Sequence, residues 1–520
     1  MRKATGWIMA VLVVGMAACA RHDRQPAEYD QVTGRASARH NTASYAYAKA
    51  GAPMQVPGLY EEQASELNAE EYGRFEENPF LRPTDAPLST FSIDVDRASY
   101  SNVRRFLNAG KRPPRQAVRI EEMVNYFTYE YPDATDAPFS ITTELAQCPW
   151  NPQNKLMLVG LQGRRMNVAD LPPNNLVFLL DTSGSMMSPD KLPLVQSGLR
   201  LLVEQMRKQD RVAIVAYAGS AGLVLPSTSG TDKATIIAAI DQLQAGGSTA
   251  GAEGIVLAYD IAKENFLRNG NNRVILATDG DFNVGVTSDG ELEDLITDKR
   301  KDGIYLTVLG FGTGNVKDSK MELLADKGNG NYAYIDTLAE ARKTLVQEMG
   351  ATLFTIAKDV KIQVEFNPAH VGAYRLIGYE NRIMGAQDFN DDKKDAGELG
   401  AGHSVTALYE IVPPGAAIPG ASVDPLKYQS ATVNGGSELA TVKLRYKNPD
   451  SETSQLLTRT IGDTAGAMSG NLRLAAAVAE LGMLLRNSEH KGNATYDEVI
   501  TLGSAQPELV ELATKAKGLS

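Results

Sequence analysis

Between Leu176 and Asp336 the chain alternates continuous apolar runs with stretches of helical period. The runs are Leu176–Leu180, Arg211–Gly219, Asn272–Gly280 and Ile304–Gly312, with a weaker one at Asn331–Asp336. Helical spacing fills the gaps at Leu192–Lys208, Lys233–Leu243, Ala250–Phe266, Gly290–Lys301 and Ser319–Lys327. Strands apolar on both faces and separated by helices predict a doubly wound, mostly parallel sheet, an α/β domain over residues 171–349. Ligands of such sheets sit at the carboxyl ends of the strands.

The flanks switch to a period of two. Phe139–Gln147 and Lys155–Gly163 precede the α/β region; "VKIQVEFN", "AYRLIGYE", "SVTALYEIV" and "ELATVKLRYK" follow it. Pairing them across the interruption predicts one β-sandwich-like domain from residues 136–170 and 350–460. Ahead of it, "TFSIDVD" reads as a strand, "RASYSNVRRFLNAG" as a helix stopped by Gly110, and "AVRIEEMVNYFTYEY" as a second helix. Together they predict a small α/β N-terminal cap over residues 86–135. The end is helical over residues 461–520: Leu474, Val478, Leu481 and Leu485 share a face, and Pro507 opens the final helix. No internal repeat is visible.

The N-terminus reads as an export signal over residues 1–18. Arg2 and Lys3 precede an apolar run from Trp7 to Val14, too short to span a bilayer. Gly15 to Cys19 resembles a bacterial lipobox, with Ala17 and Ala18 as the small residues and Met16 where leucine is more usual. That resemblance implies that Cys19 becomes the lipidated first residue of the mature protein. Ala20 after it, by similarity to sorted lipoproteins, implies an outer-membrane anchor facing the periplasm. Residues 19–85, rich in small and polar residues, read as a disordered tether. With Cys19 acylated, Cys148 has no disulfide partner, and its strand-like setting favours burial. The net charge of −11, from 63 acidic and 52 basic residues among 520, argues against nucleic acid as a partner.

Asp181 ends one apolar run, and Ser183 and Ser185 follow at alternate positions. Thr249 follows a glycine pair just before a helix, and Asp279 ends another run. All five reach the same edge of a parallel sheet. Hard oxygen donors of this kind suit Mg²⁺ or Mn²⁺ rather than zinc. The set and its order resemble the metal-ion-dependent adhesion site of von Willebrand factor type A domains. The resemblance implies Ser183, Ser185 and Thr249 as direct or water-mediated ligands. It places Asp181 and Asp279 mainly behind them. Mg²⁺ is the expected ion, with Mn²⁺ and Ca²⁺ as alternatives, and the expected partner is a protein offering an aspartate or glutamate. Beyond the α/β domain, "FSIDVDRASYSNVRRFLNAG", "AVRIEEMVNYF", "YRLIGYENR" and "DAGELGAGHSVTALYEI" resemble the flanking regions of a family of bacterial von Willebrand type A lipoproteins.

Hydrolytic chemistry is not supported. The five histidines are His22, His40, His370, His403 and His490, and none lies in the α/β domain. His403 in "GAGHSV" reads as a structural loop residue. "GFGTGNVKD" lacks the Gly-Lys-Ser/Thr ending of a phosphate loop and reads as a turn. Asp281 reads as a solvated loop residue with a place at the metal edge as the alternative. Asp94 and Asp96 read as a strand-end cap, with a second cation site as the alternative. Trp150 reads as core packing. The expected function is metal-dependent protein binding by an envelope lipoprotein, not catalysis. The alternative is a scaffold whose metal mainly stabilises the fold.

Overall fold

The strand Asn174–Asp181 is buried along its whole length because both of its faces are covered. Leu176, Phe178 and Leu180 enter one core, and Val177 and Leu179 enter another. The same alternation holds in Asn271–Thr278, where Ile275 and Ala277 face one way and Val274 and Leu276 the other. These are the continuous runs of the sequence, and the computed structural model explains them as inner strands of a sheet with helices on each side. It describes residues 70–247, 251–280, 289–348, 353–419 and 436–520. The signal segment, Cys19 and the tether up to residue 69 lie outside the described residues.

Strand β1 (Leu88–Ser92) leads to helices α1 (Ala98–Asn108) and α2 (Ile120–Asn125), then to β2 (Phe139–Gln147) and β3 (Lys155–Gly163). The α/β domain follows as β4 (Asn174–Asp181), α3 (Leu192–Gln205), β5 (Arg211–Tyr217), β6 (Ala221–Ser229), α4 (Lys233–Asp241), α5 (Gly251–Glu264) and β7 (Asn271–Thr278). It continues through α6 (Asp289–Lys301), β8 (Ile304–Phe311), α7 (Asp318–Lys327), β9 (Tyr332–Ile335) and α8 (Leu338–Arg342). Strands β10 (Thr355–Phe366), β11 (Ala373–Ile377), β12 (Gly397–Gly400), β13 (Ser404–Val412), β14 (Glu438–Lys447) and β15 (Gln455–Gly462) come next. Helices α9 (Gly470–Arg486), α10 (Tyr496–Leu502) and α11 (Pro507–Gly518) end the chain.

The central sheet has the order β6-β5-β4-β7-β8-β9. All its neighbours are parallel except β5 and β6. Two antiparallel sheets, β1-β10-β14-β15 with β12 on β10, and β11-β13-β3-β2, enclose a separate core. The α/β domain is thus inserted in a β-sandwich between β3 and β10.

The structure differs from the sequence reading in several places, among them two strands that the reading did not place, β12 and β15. Strand β1, expected in the N-terminal cap, pairs with β10 at the edge of the sandwich. Helix α2 stops at Asn125, short of the expected Tyr131. Tyr131 lies instead against Gly160, where a Cβ would come within 2.4 Å of its ring. Strand β6 was not anticipated; its Gly222 and Pro226 obscure the pattern, and an edge strand tolerates both. Finally, residues 70–85, assigned to the tether, pack on the body. Glu70 pairs with Arg105 at 2.9 Å, the Asn78 amide donates to the Leu376 and Gly378 carbonyls at 3.1 and 2.8 Å, and Leu81 bridges Tyr374.

Helices α1 and α2 share one core with α9, α10 and α11, in which Tyr100, Val103, Met123 and Val124 meet Leu472, Val478 and Leu512. Trp150 is fully buried there and donates through Nε1 to Glu410 Oε2 at 3.1 Å. Cys148 beside it is a buried free thiol, raised well above its ordinary pKa by burial and then by the Glu410 carboxylate.

Candidate metal centre

Strand β4 ends at Asp181, and the chain turns at once into a short 3-10 segment, Gly184–Met187. Asp181 Oδ1 accepts the Ser183 N–H at 2.9 Å, folding the loop back on the carboxylate. Oδ2 accepts from the Tyr217 hydroxyl at the end of β5 and from Thr278 Oγ1 at the end of β7, each at 3.2 Å. Three adjacent strand ends therefore fix one carboxylate. Burial first, and the neighbouring Asp279 charge, push Asp181 above the ordinary carboxyl range against these donors.

The loop is held from its other side by the glycine pair that precedes Thr249. Gly246 N–H donates to Thr182 O at 2.8 Å, and Gly184 N–H donates to Gly247 O at 3.0 Å. Gly247 has φ of +85°, a conformation that favours glycine. Thr249 and Asp281 lie outside the described residues. The other four candidate residues come together. Ser183 Oγ and Ser185 Oγ are 3.0 Å apart, with Ser183 buried and Ser185 exposed. Asp279, the residue after β7, is buried.

Asp279 does not stand alone. Its Oδ2 accepts from Lys191 Nζ at 2.8 Å, and the same ammonium lies 3.3 Å from Asn315 Oδ1. Burial works to raise the Asp279 pKa, but the Lys191 ammonium, with Asn315 and Ser185, outweighs it and holds the carboxyl below its ordinary value. Lys191 and Asn315 were not singled out from sequence, although Lys191 ends the stretch that contains Asp181, Ser183 and Ser185. Beside Ser185, Met187 projects into solvent, 68% exposed, and supplies an apolar rim.

The donors fit a hard divalent cation. Metal–oxygen bonds of about 2.0–2.1 Å in an octahedron put adjacent oxygens about 2.9 Å apart, close to the Ser183–Ser185 separation of 3.0 Å. The donors are hydroxyls and carboxylates, with no thiolate or imidazole among those described.

The second candidate pair has a different chemistry. Asp94 Oδ1 accepts the Asp96 N–H at 2.8 Å, the expected strand-end cap. One oxygen each from Asp94, Glu122 and Glu322 lie within 4.8 Å of one another. Arg382 reaches Asp94 at 3.2 Å and Glu322 at 3.0 Å, and Arg119 reaches Glu322 at 2.9 Å. Guanidinium groups already serve these carboxylates, so the cluster is an ion-pair network. His403 is buried against Arg97, and burial first, then that charge, depress its pKa.

Fold and strand-end geometry define the class: a von Willebrand factor type A domain. The model of that domain matches residues 175–348, one described as von Willebrand factor matches 66–158, and one described as "Uncharacterized protein YfbK, C-terminal" matches 351–516. The chain belongs to the YfbK family. It is 47% identical over 440 residues to "Uncharacterized protein YfbK" of Escherichia coli strain K12, covering 82% of this chain and 76% of that one. It is also 30% identical over 176 residues to "Uncharacterized protein sll0103" of Synechocystis, covering 34% and 40% of the two chains. Among solved structures, a von Willebrand factor type A protein from Catenulispora acidiphila matches with a TM-score of 0.41 and 16% identity, covering 68% of this chain and 80% of that one. Domains of this class are generally protein-interaction modules rather than enzymes, and often bind a divalent metal.

Proposed function

We propose that this protein is a metal-dependent, protein-binding lipoprotein of the bacterial envelope. Ser183, Ser185 and Thr249 hold Mg²⁺ or Mn²⁺, and Asp181 and Asp279 orient the hydroxyls and bound water. Ca²⁺ is the less favoured ion, because its longer bonds spread adjacent oxygens further apart. When bound, the cation supplies an electrophilic position for an aspartate or glutamate of the partner protein. A lipid on Cys19 ties the chain to the periplasmic face of the outer membrane.

The observation that carries this reading is the hydroxyl pair, 3.0 Å apart, beside two buried carboxylates. A carboxylate contact counts for more in such a partly dehydrated site than in bulk water. Exposed Met187 adds apolar area beside it.

The test is capture from solubilised envelopes by the full-length chain in mild detergent. Wild type with Mg²⁺, wild type with chelator, and Ser183→Ala/Ser185→Ala are compared after each is shown to be folded. A protein retained only by metal-loaded wild type is the expected result. Equal capture in all three arms refutes metal-dependent binding. Metal-dependent thermal stabilisation without capture favours the scaffold alternative.

A further inference from the structure

Lys191 stands at the N-terminal boundary of helix α3 without a side-chain cap, yet its side chain does not run out to solvent: the residue is 7% exposed. Its ammonium lies 2.8 Å from Asp279 Oδ2 and 3.3 Å from Asn315 Oδ1. The stem lies against Gly312, the residue just past the end of β8. A Cβ there would come within 2.3 Å of Lys191 Cε and 2.4 Å of Cγ. The fold therefore makes room for a buried cation beside a cation-binding edge.

That is an odd choice of partner if Asp279 only needed holding. The other buried carboxylate, Asp181, is held by the Ser183 N–H, the Tyr217 hydroxyl and the Thr278 hydroxyl, all neutral. A neutral donor satisfies a carboxylate oxygen without repelling a metal ion; an ammonium at short range repels one strongly in a poorly solvated site. The two carboxylates are thus treated differently, and the difference is one unit of charge.

We propose that Lys191 is a built-in counter-cation of the metal centre, which neutralises Asp279, weakens metal binding, and leaves the loaded site with a net positive charge for the partner's carboxylate to complete. This deepens, and rests on, the metal-adhesion reading above. Both carboxylates are ionised beside a bound cation. These two carboxylates and the Lys191 ammonium together carry a single negative charge. A divalent ion turns that into one positive charge, and a single incoming carboxylate brings the site to neutrality. Without the lysine, the ion alone neutralises the site and an incoming carboxylate meets a weaker attraction. Lys191 is a positioning residue here, acting through Asp279 rather than as a ligand.

The test is Mn²⁺ titration of the full-length chain in detergent by calorimetry, on wild type, Lys191→Met, Lys191→Gln, Lys191→Arg and Ser183→Ala/Ser185→Ala. Each is repeated with acetate as the probe carboxylate, against chloride. The two neutral variants are expected to bind Mn²⁺ at least ~10-fold more tightly than wild type, because a repulsive charge is gone. Lys191→Arg is expected to stay close to wild type. Acetate is expected to tighten Mn²⁺ binding to wild type more than to the neutral variants. A disturbed fold loses metal affinity, so a gain cannot come from damage. Unchanged or weaker Mn²⁺ binding by folded Lys191→Met and Lys191→Gln overturns the proposal. If the serine double variant keeps wild-type affinity, the metal-edge reading itself fails, and this proposal fails with it.

Discussion

At the scale of single residues, the proposed metal centre depends on positions outside the candidate ligand set. Gly312 has φ of +75° and lies against the Lys191 stem, so an added methyl group meets both backbone strain and a close contact. Gly312→Ala is expected to destabilise the protein by about 1–3 kcal/mol, read as a shift in urea midpoint at unchanged slope. That Asp181, Ser183, Ser185 and Asp279 come together was legible in the sequence because each sits at or just past the end of an apolar run. A parallel sheet brings such ends to one edge by construction. Lys191 was not legible. A lysine after a proline and an aspartate reads as solvated, and its burial depends on a glycine in a loop far along the chain. The Tyr217 and Thr278 hydroxyls were hidden for a similar reason: each looks like an ordinary last residue of its strand, and only strand order puts both on Asp181.

At the scale of elements, hydrophobic period located the helices and inner strands of the α/β domain closely, since burial on both sides of the sheet imposes the pattern directly. It missed the pairing of β1, the strands β6, β12 and β15, and the end of α2, where pairing and edge position decide. It also gave no warning of a carboxyl inside α9. Glu480 is fully buried, and Oε1 accepts the Thr495 N–H at 2.9 Å. Burial first, and then the nearby Glu498 charge, push its pKa from 4.5 up to about 8 against that donor. The folded state therefore holds this proton more tightly than the unfolded chain. Its contribution to stability is complete below pH 4.5 and is lost as pH rises toward about 8. Glu480→Gln keeps the shape without the charge. It is expected to remove part of the stability loss that wild type shows between pH 5 and pH 8, a window inside the about 4.5–8 range. Paired denaturation curves across that range check it, because other buried carboxyls cancel in the difference between the two proteins.

At the scale of the whole molecule, the sequence foretold an α/β domain inserted in a β-sandwich, but not what joins them. The β pattern on either side of the insertion was enough to suggest the sandwich. The joint is made of charges whose partners are distant in sequence, and nothing local announces them. Arg382, in the loop after β11, is its centre: it reaches Asp94 and Asp96 near β1 at 3.2 Å each, and Glu322 and Asp326 of α7 at 3.0 and 2.6 Å. Two carboxylates from the sandwich side and two from the inserted domain thus share one guanidinium. Asp94 and Asp96 were visible from sequence as an acidic pair, yet a metal and an arginine both answer that pattern. Removing the guanidinium leaves these carboxylates facing each other in a poorly solvated joint, which costs more than the net worth of the pairs. Asp326 is 39% exposed and Arg382 13%, so solvent softens the loss. Arg382→Met is therefore expected to cost about 2–3 kcal/mol, less than a fully buried pair. The loss should shrink in acid, where the stranded Asp96, Glu322 and Asp326, whose carboxyls burial already raises above their ordinary values, take up protons and the repulsion falls. Calorimetry at pH 7 and pH 5 checks both points. If the arginine joins the two domains, the variant should also unfold in more than one transition, with the α/β domain released from the sandwich. A single transition with unchanged stability would show that Arg382 is not what holds the domains together, leaving the joint to its other ion pairs, such as Arg119 with Glu322, and its apolar contacts.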